Sequence, residues 1–150
     1  MRLSEMLQED TVVVGFKGIK KQEILEELID LAEKTGKIHD KKEALKAVMV
    51  REQMMSTGLE HGIAVPHAKT GSVSEMVMAM GLCRDGVDFE SVDGEPSRIF
   101  FLLLAPENAA AANVKLLAQI ARITSRPEFR KKLVQASTPA EVINIIRAGE

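Results

Sequence analysis

Apolar positions along the chain switch between strand-like and helix-like periods, and those switches outline the elements. Residues 11–14 form a short run, Thr-Val-Val-Val, ended by Gly15, which suits a buried strand. From Lys20 to about Lys34, Ile24, Leu25, Leu28, Leu31 and Ala32 recur at helical spacing, and Gly36 supplies a stop. Asp40 stands where a second helix needs an N-cap; that helix carries Ala44, Leu45, Val48 and Met49 inward until Ser56-Thr57-Gly58 breaks it. The period then changes. Residues 59–65 read as an irregular, hairpin-like strand region turning at Gly62, and residues 77–82 and 99–105 read as strands. The last of these is wholly apolar and is expected to be central in its sheet. Asp85-Gly86 and Asp93-Gly94 are turn signals flanking a short edge strand over residues 87–89.

The final third is helical. Residues 109–124 predict a helix with Val114, Leu117, Ala118, Ile120 and Ala121 on its inward face. Pro127 sits where a first helical turn tolerates it, ahead of Phe129, Leu133 and Val134. Thr138-Pro139-Ala140-Glu141 has the form of a capping box, opening a helix through Val142, Ile143, Ile145 and Ile146. The pattern predicts one α/β domain over residues 1–150, a mixed β-sheet flanked by helices.

Composition adds exclusions. With 45% hydrophobic and 28% charged residues over 150 positions, the chain can bury a real core and is too apolar for disorder. A formal charge of −2 gives no reason to expect nucleic acid as a partner. The start of the chain lacks a signal-peptide h-region, and the longest apolar run, residues 99–106, falls far short of a membrane span, so the cytoplasm is the expected compartment. Cys83 is alone, which excludes an internal disulfide and a zinc-type CxxC pair; neither a metal nor a cofactor is expected. Cys83 ends an apolar strand and is read as a small buried hydrophobe, and the eight methionines as fillers of core and interface gaps.

Of the three histidines, His39 lies in a polar inter-helix turn and reads as surface. His67 differs because of its neighbours. Pro66 fixes its own φ and biases Val65 toward an extended shape, while Gly62, Ala64, Ala68 and Gly71 keep the surroundings lean. That is a rim a bulky partner protein can approach, and exposed apolar residues are expected around it.

Arg51-Glu52, Ser56-Thr57-Gly58-Leu59 and Gly62-Ile63-Ala64-Val65-Pro66-His67-Ala68-Lys69 together resemble the signature of the fructose/mannitol/nitrogen-type IIA domain of the bacterial phosphoenolpyruvate-dependent phosphotransferase system. Residues 81–89 and 99–123 are similar to the family in the same order. The resemblance implies the family's α/β fold and a phosphocarrier: His67 would accept a phosphoryl group from the phosphohistidine of HPr and pass it to a cysteine of a IIB domain. It also implies docking on a membrane permease complex without insertion. The chemistry is intelligible, since a neutral imidazole, with an ordinary pKa of about 6.5, is a competent nucleophile near pH 7.

Arg51 aligns with the family arginine beside that histidine, and a guanidinium can hold phosphoryl oxygens bidentately. Lys69 could add charge. Ser56 and Thr57 could orient the phosphate or simply form the turn. Asn113 stands where the family commonly has a second histidine; asparagine can orient an imidazole or donate to oxygen but cannot titrate. His61 would share a strand face with His67 if residues 61–67 stayed extended. The expected function is phosphotransfer in sugar or polyol uptake. The alternative is a nitrogen-type regulatory module in which the phosphorylation state of His67 controls protein binding, and the loss of the second histidine also raises a scaffold that is never phosphorylated.

Overall fold

A strand as apolar as residues 99–105 is stable only with both faces covered, and the fold is arranged around that requirement. In the computed structural model, which describes residues 2–150, the elements in chain order are α1 (Leu3–Met6), a single 3-10 turn (Glu9–Thr11), β1 (Val12–Val14), α2 (Lys21–Glu33), α3 (Lys41–Met54), β2 (Ile63–Ala64), β3 (His67–Lys69), β4 (Val77–Val87), β5 (Ser97–Ala105), α4 (Ala110–Thr124), α5 (Pro127–Gln135) and α6 (Pro139–Gly149). They build one open, mixed five-stranded sheet. β5 is central: β4 runs antiparallel along one edge of it, and β2 and β3 run parallel along the other. β1 closes the far side, parallel to β4.

Alternation along β5 divides the interior into two cores. Phe100, Leu102 and Leu104 pack with Ile24, Leu28 and Val48 of α2 and α3. Ile99, Phe101 and Leu103 pack with Leu116, Ile120, Leu133 and Ile146 of the three C-terminal helices. The period of two in the strand and the period near four in the helices therefore meet on each face.

The predicted caps are present. Asp40 accepts from the amide of Glu43, and Thr138 accepts from the amide of Glu141 at 3.2 Å. The Glu141 carboxylate accepts from Ser137 rather than from Thr138, so the reciprocal bond reaches one residue further back than a standard capping box.

Three expectations are corrected. No strand forms over residues 87–89; Val87 instead ends β4, and Asp85-Gly86 lies within that strand, at a register shift between Leu82 and Val87. The left-handed φ of Gly86, +81°, serves this irregularity instead of a hairpin turn. The inward face of α4 is Asn113, Leu116, Ile120 and Ile123, while Val114 is 65% exposed. A helix so rich in alanine and aliphatic residues is apolar around most of its circumference, and its sequence does not fix its rotation. Cys83 is half-buried, not buried.

β2 and β3 are one strand in all but hydrogen bonding. The register against β5 continues unchanged across the gap, with Ile63 opposite Ile99, Ala64 opposite Phe100, and then His67 opposite Leu103. The ladder lapses at Pro66 because proline has no amide to donate. Its carbonyl still accepts from Leu103 at 3.0 Å.

Just before this strand, Gly58 passes against the loop that follows β4. A Cβ there would lie 2.8 Å from the Phe89 carbonyl oxygen and 2.9 Å from Ser91 Cα, both backbone atoms that cannot swing aside. Gly58→Ala is expected to destabilise the fold by about 1–3 kcal/mol in urea unfolding. Gly71→Ala, whose Cβ would meet only the Glu107 carboxylate at 3.9 Å, should be nearly neutral.

Candidate functional site

The edge strand β3, one face of α3 from Glu43 to Met54 and the first turn of α4 converge on an open cleft of about 600 Å³. α3 covers one face of the sheet and α4 the other, so the cleft straddles the sheet edge. Arg51, His67, Lys69 and Asn113 all line it, with Val50 and Met54 at its margin. Arg51 lies in the last turn of α3, where Nη1 donates at 2.9 Å to the Met55 carbonyl, one of the acceptors a helix end leaves without an internal partner. Lys46 and Glu43 complete the charged lining, giving three cations against one carboxylate. Such a balance attracts an anion.

His67 opens β3 and is half-buried. Its Nδ1 lies 2.8 Å from the Val65 carbonyl oxygen. A carbonyl can only accept, so in the neutral ring the proton sits on Nδ1 and the lone pair on Nε2. Asn113 is 8% exposed, and among the described residues its Oδ1 is buried without a hydrogen-bond partner. An orphaned acceptor costs about 1–3 kcal/mol, which a donor entering the cleft would offset.

Ser56, Thr57 and His61 are not brought into this cleft. The buried Thr57 donates through its amide, at 2.7 Å, and through its hydroxyl to the Glu52 carboxylate. The Ser56 hydroxyl donates to the Phe89 carbonyl at 2.7 Å. Both hydroxyls therefore hold the loop together. His61 has a left-handed φ of +63°, immediately before Gly62 at +76°, and this turn removes it from the strand face it was expected to share with His67. Its ring is exposed, with Nε2 3.7 Å from the Glu60 carboxylate. His39 is exposed as predicted, its Nε2 at 2.8 Å from the Ser74 hydroxyl.

Glu52, Lys46, Val50 and Met54 were not anticipated at or beside the site. Glu52 had a signal: it continues the inward stripe of Ala44 and Val48 at intervals of four, and a carboxylate on an apolar stripe must find partners. Val50 and Met54, 48% and 77% exposed, supply the apolar rim expected around His67. A groove of about 680 Å³ between α5 and α6 is slightly larger but offers no imidazole, and its Arg126 is engaged by the Gly149 carbonyl.

The turn carrying His61 is tied to its neighbour by Asp93, whose carboxylate accepts from the amides of Glu95 at 3.0 Å and His61 at 3.1 Å. Those two bonds, Glu95 first, hold its pKa below the ordinary aspartate value. A depressed carboxylate contributes stability that is present above the unfolded pKa and is lost as pH falls through the folded one. The amide signals of His61 and Glu95 are therefore expected to titrate together, with a midpoint below the usual aspartate range. Asp93→Asn should abolish that titration.

The site thus sets an imidazole whose Nδ1 faces a carbonyl among three cations on an apolar rim at a sheet edge, an arrangement chemically suited to an anionic group beside a nucleophilic nitrogen. The chain belongs to the family described as "Phosphoenolpyruvate-dependent sugar phosphotransferase system, EIIA 2", which it matches over residues 5–149. It is 35% identical over 146 residues to the PTS system fructose-specific EIIABC component of Bacillus subtilis, covering 97% of this chain but only 23% of that protein's length. It is 32% identical over 149 residues to a nitrogen regulatory protein of Bradyrhizobium diazoefficiens, covering 99% of this chain and 95% of the relative. The crystal structure of nitrogen regulatory protein IIA-Ntr from Neisseria meningitidis superposes with a TM-score of 0.88 at 29% identity, over 96% of this chain and 98% of that one. The mixed sheet flanked by helices is thus the fold of this family, as the signature implied. Among the described residues no helix is long and apolar enough to cross a membrane, and no group of three or more His, Cys, Asp or Glu could hold a metal ion.

Proposed function

We propose that this chain is a phosphocarrier in which His67 takes a phosphoryl group from the phosphohistidine of an HPr-type protein and passes it to a cysteine of a IIB domain. The observation that carries this reading is the bond between His67 Nδ1 and the Val65 carbonyl, which directs the lone pair to Nε2 in a cleft lined by Arg51. In the first step Nε2 attacks phosphorus, the Nε2–P bond forms, and the donor's N–P bond breaks with its electron pair returning to the donor imidazole. In the second, a cysteine thiolate attacks phosphorus, the S–P bond forms, and His67 recovers its lone pair. Little covalent work falls to the rest of the protein, so positioning and neutralisation of the phosphoryl oxygens dominate. The Arg51 guanidinium supplies the bidentate grip, Lys46 and Lys69 add field, and the Asn113 amide meets either an oxygen or the imidazole.

The fusion of EIIA with B and C parts in the Bacillus subtilis relative supports a IIB domain as acceptor. The test is incubation with phosphoenolpyruvate, Enzyme I and HPr. The expected result is a mass gain of one phosphoryl group, labile in acid and stable in base; no gain would sink the carrier reading.

A second reading is favoured by the near full-length likeness to nitrogen regulatory proteins. There the phosphorylation state of His67 governs which proteins bind, and transport is not the output. Phosphorylated protein that fails to pass its group to any cognate IIB cysteine would favour it.

A further inference from the structure

One buried ionic cluster lies outside the cleft and is not used by the chemistry above. The Glu52 side chain is 5% exposed and accepts from the Thr57 amide at 2.7 Å, from the Thr57 hydroxyl, and from Lys21 Nζ at 2.8 Å. Lys21 reaches across from α2, with its Nζ 4.7 Å from the centroid of the Phe89 ring. Contacts run on from Thr57 without a gap. Its carbonyl accepts from the Val65 amide at 3.0 Å, and the Val65 carbonyl accepts from His67 Nδ1 at 2.8 Å. Pro66 restricts ψ at Val65, and its own carbonyl is pinned by Leu103 of β5 at 3.0 Å. The carbonyl that selects the tautomer of His67 is therefore held from two sides, by β5 beyond it and by Thr57 before it. Thr57 in turn is held at two atoms by Glu52.

We propose that Glu52 is a positioning residue for His67. Acting through Thr57 and the Val65 carbonyl, it biases the imidazole to the Nδ1–H tautomer and keeps the lone pair on Nε2. The purpose of this bias rests on the carrier reading, but the bias itself does not. The carboxylate suits the task because it offers acceptors to both Thr57 donors and to Lys21 at once. Glutamine would turn one of those acceptors into a donor facing donors.

The experiment is long-range proton–nitrogen NMR of the histidine rings in the full chain at about pH 8, where imidazoles are neutral. In the wild type the ring nitrogens of His67 should show the Nδ1–H form in excess. In Glu52→Gln the ratio of Nδ1–H to Nε2–H should fall by about fivefold, the worth of one ordinary hydrogen bond. The exposed Glu26→Gln on α2 should leave it unchanged. Wild-type ring shifts in a folded Glu52→Gln protein would overturn the proposal, as would an equal change in Glu26→Gln. Should Glu52→Gln fail to fold, Thr57→Val carries the test, because it keeps the amide donor and the volume but removes the hydroxyl; unchanged shifts there would overturn the proposal equally. A purely structural Glu52 would lower the melting temperature and leave the tautomer alone. A chain that shows the tautomer effect yet never takes up phosphate keeps this inference and loses the carrier reading. A phosphorylated chain with an unmoved tautomer does the reverse.

Discussion

His67→Ala is expected to lose the phosphoryl mass gain completely while unfolding within about 1 kcal/mol of the wild type. The ring is half-buried at the mouth of an open cleft, and its one hydrogen bond runs to a carbonyl that water can reach once the ring is gone. Little packing is lost, and the chemistry has no substitute. His61 is the nearest imidazole in sequence, but the left-handed turn at residues 61–62 removes it from the strand. A gain of mass that survived His67→Ala would locate the phosphate elsewhere. Arg51→Lys is the graded companion. Lysine can still donate to the Met55 carbonyl, but it cannot present two parallel donors to a phosphoryl group, so transfer should slow by about 10²-fold at nearly unchanged stability. Stopped-flow or quench measurement of phosphoryl uptake from phospho-HPr separates the two variants, and circular dichroism melts check that both remain folded.

Phe100→Ala is expected to destabilise the fold by about 3–5 kcal/mol, more than Gly58→Ala. Phe100 is fully buried on the central strand, with Phe16 edge-on to it at 5.3 Å between centroids and Phe89 at 5.4 Å. Truncation would leave a void where three rings meet and would remove both edge-to-face contacts. Domains of this size are stable by only about 5–15 kcal/mol, so about a fifth or more of the total is at stake. The midpoint of urea unfolding should fall sharply, whereas the 79%-exposed Ile19 can be changed to Ala with almost no effect. A midpoint close to that of the wild type would mean that Phe16 and Phe89 collapse into the space, contrary to the close packing seen around them.

Most of the architecture could be read from the chain because its signals were redundant. α2 was announced by five apolar positions at helical spacing and a glycine stop, and the helices at Asp40 and Thr138 by caps that are present in the structure. β5 was identifiable as central because nothing polar interrupts it. The rotation of α4 was not legible, since alanine and aliphatic residues surround it; the partner surface, not the sequence, decided that Asn113 turns inward and Val114 outward. At the site, local chemistry made the Pro66-His67 presentation readable, and spacing alone could not say that Arg51 on one face of the sheet and Asn113 on the other would meet there. For Thr57 the sequence left the phosphate and turn roles open, because its partner Glu52 lies on the preceding helix and a turn residue with a free hydroxyl looks the same as one already engaged.

The unbroken register across Pro66 sets how this region can change over evolutionary time. Because the Ile63, Ala64 and His67 positions are all counted against β5 in one phase, a single insertion or deletion between Gly62 and His67 would turn the imidazole to the opposite face of the sheet. The Asp93-Gly94 turn and the Glu107-Asn108 turn are exposed, are not counted into that register, and can vary in length without moving His67. Drift in loop size should therefore be concentrated at those turns, while the six-residue stretch from Gly62 to His67 keeps a fixed length even where its side chains are exchanged.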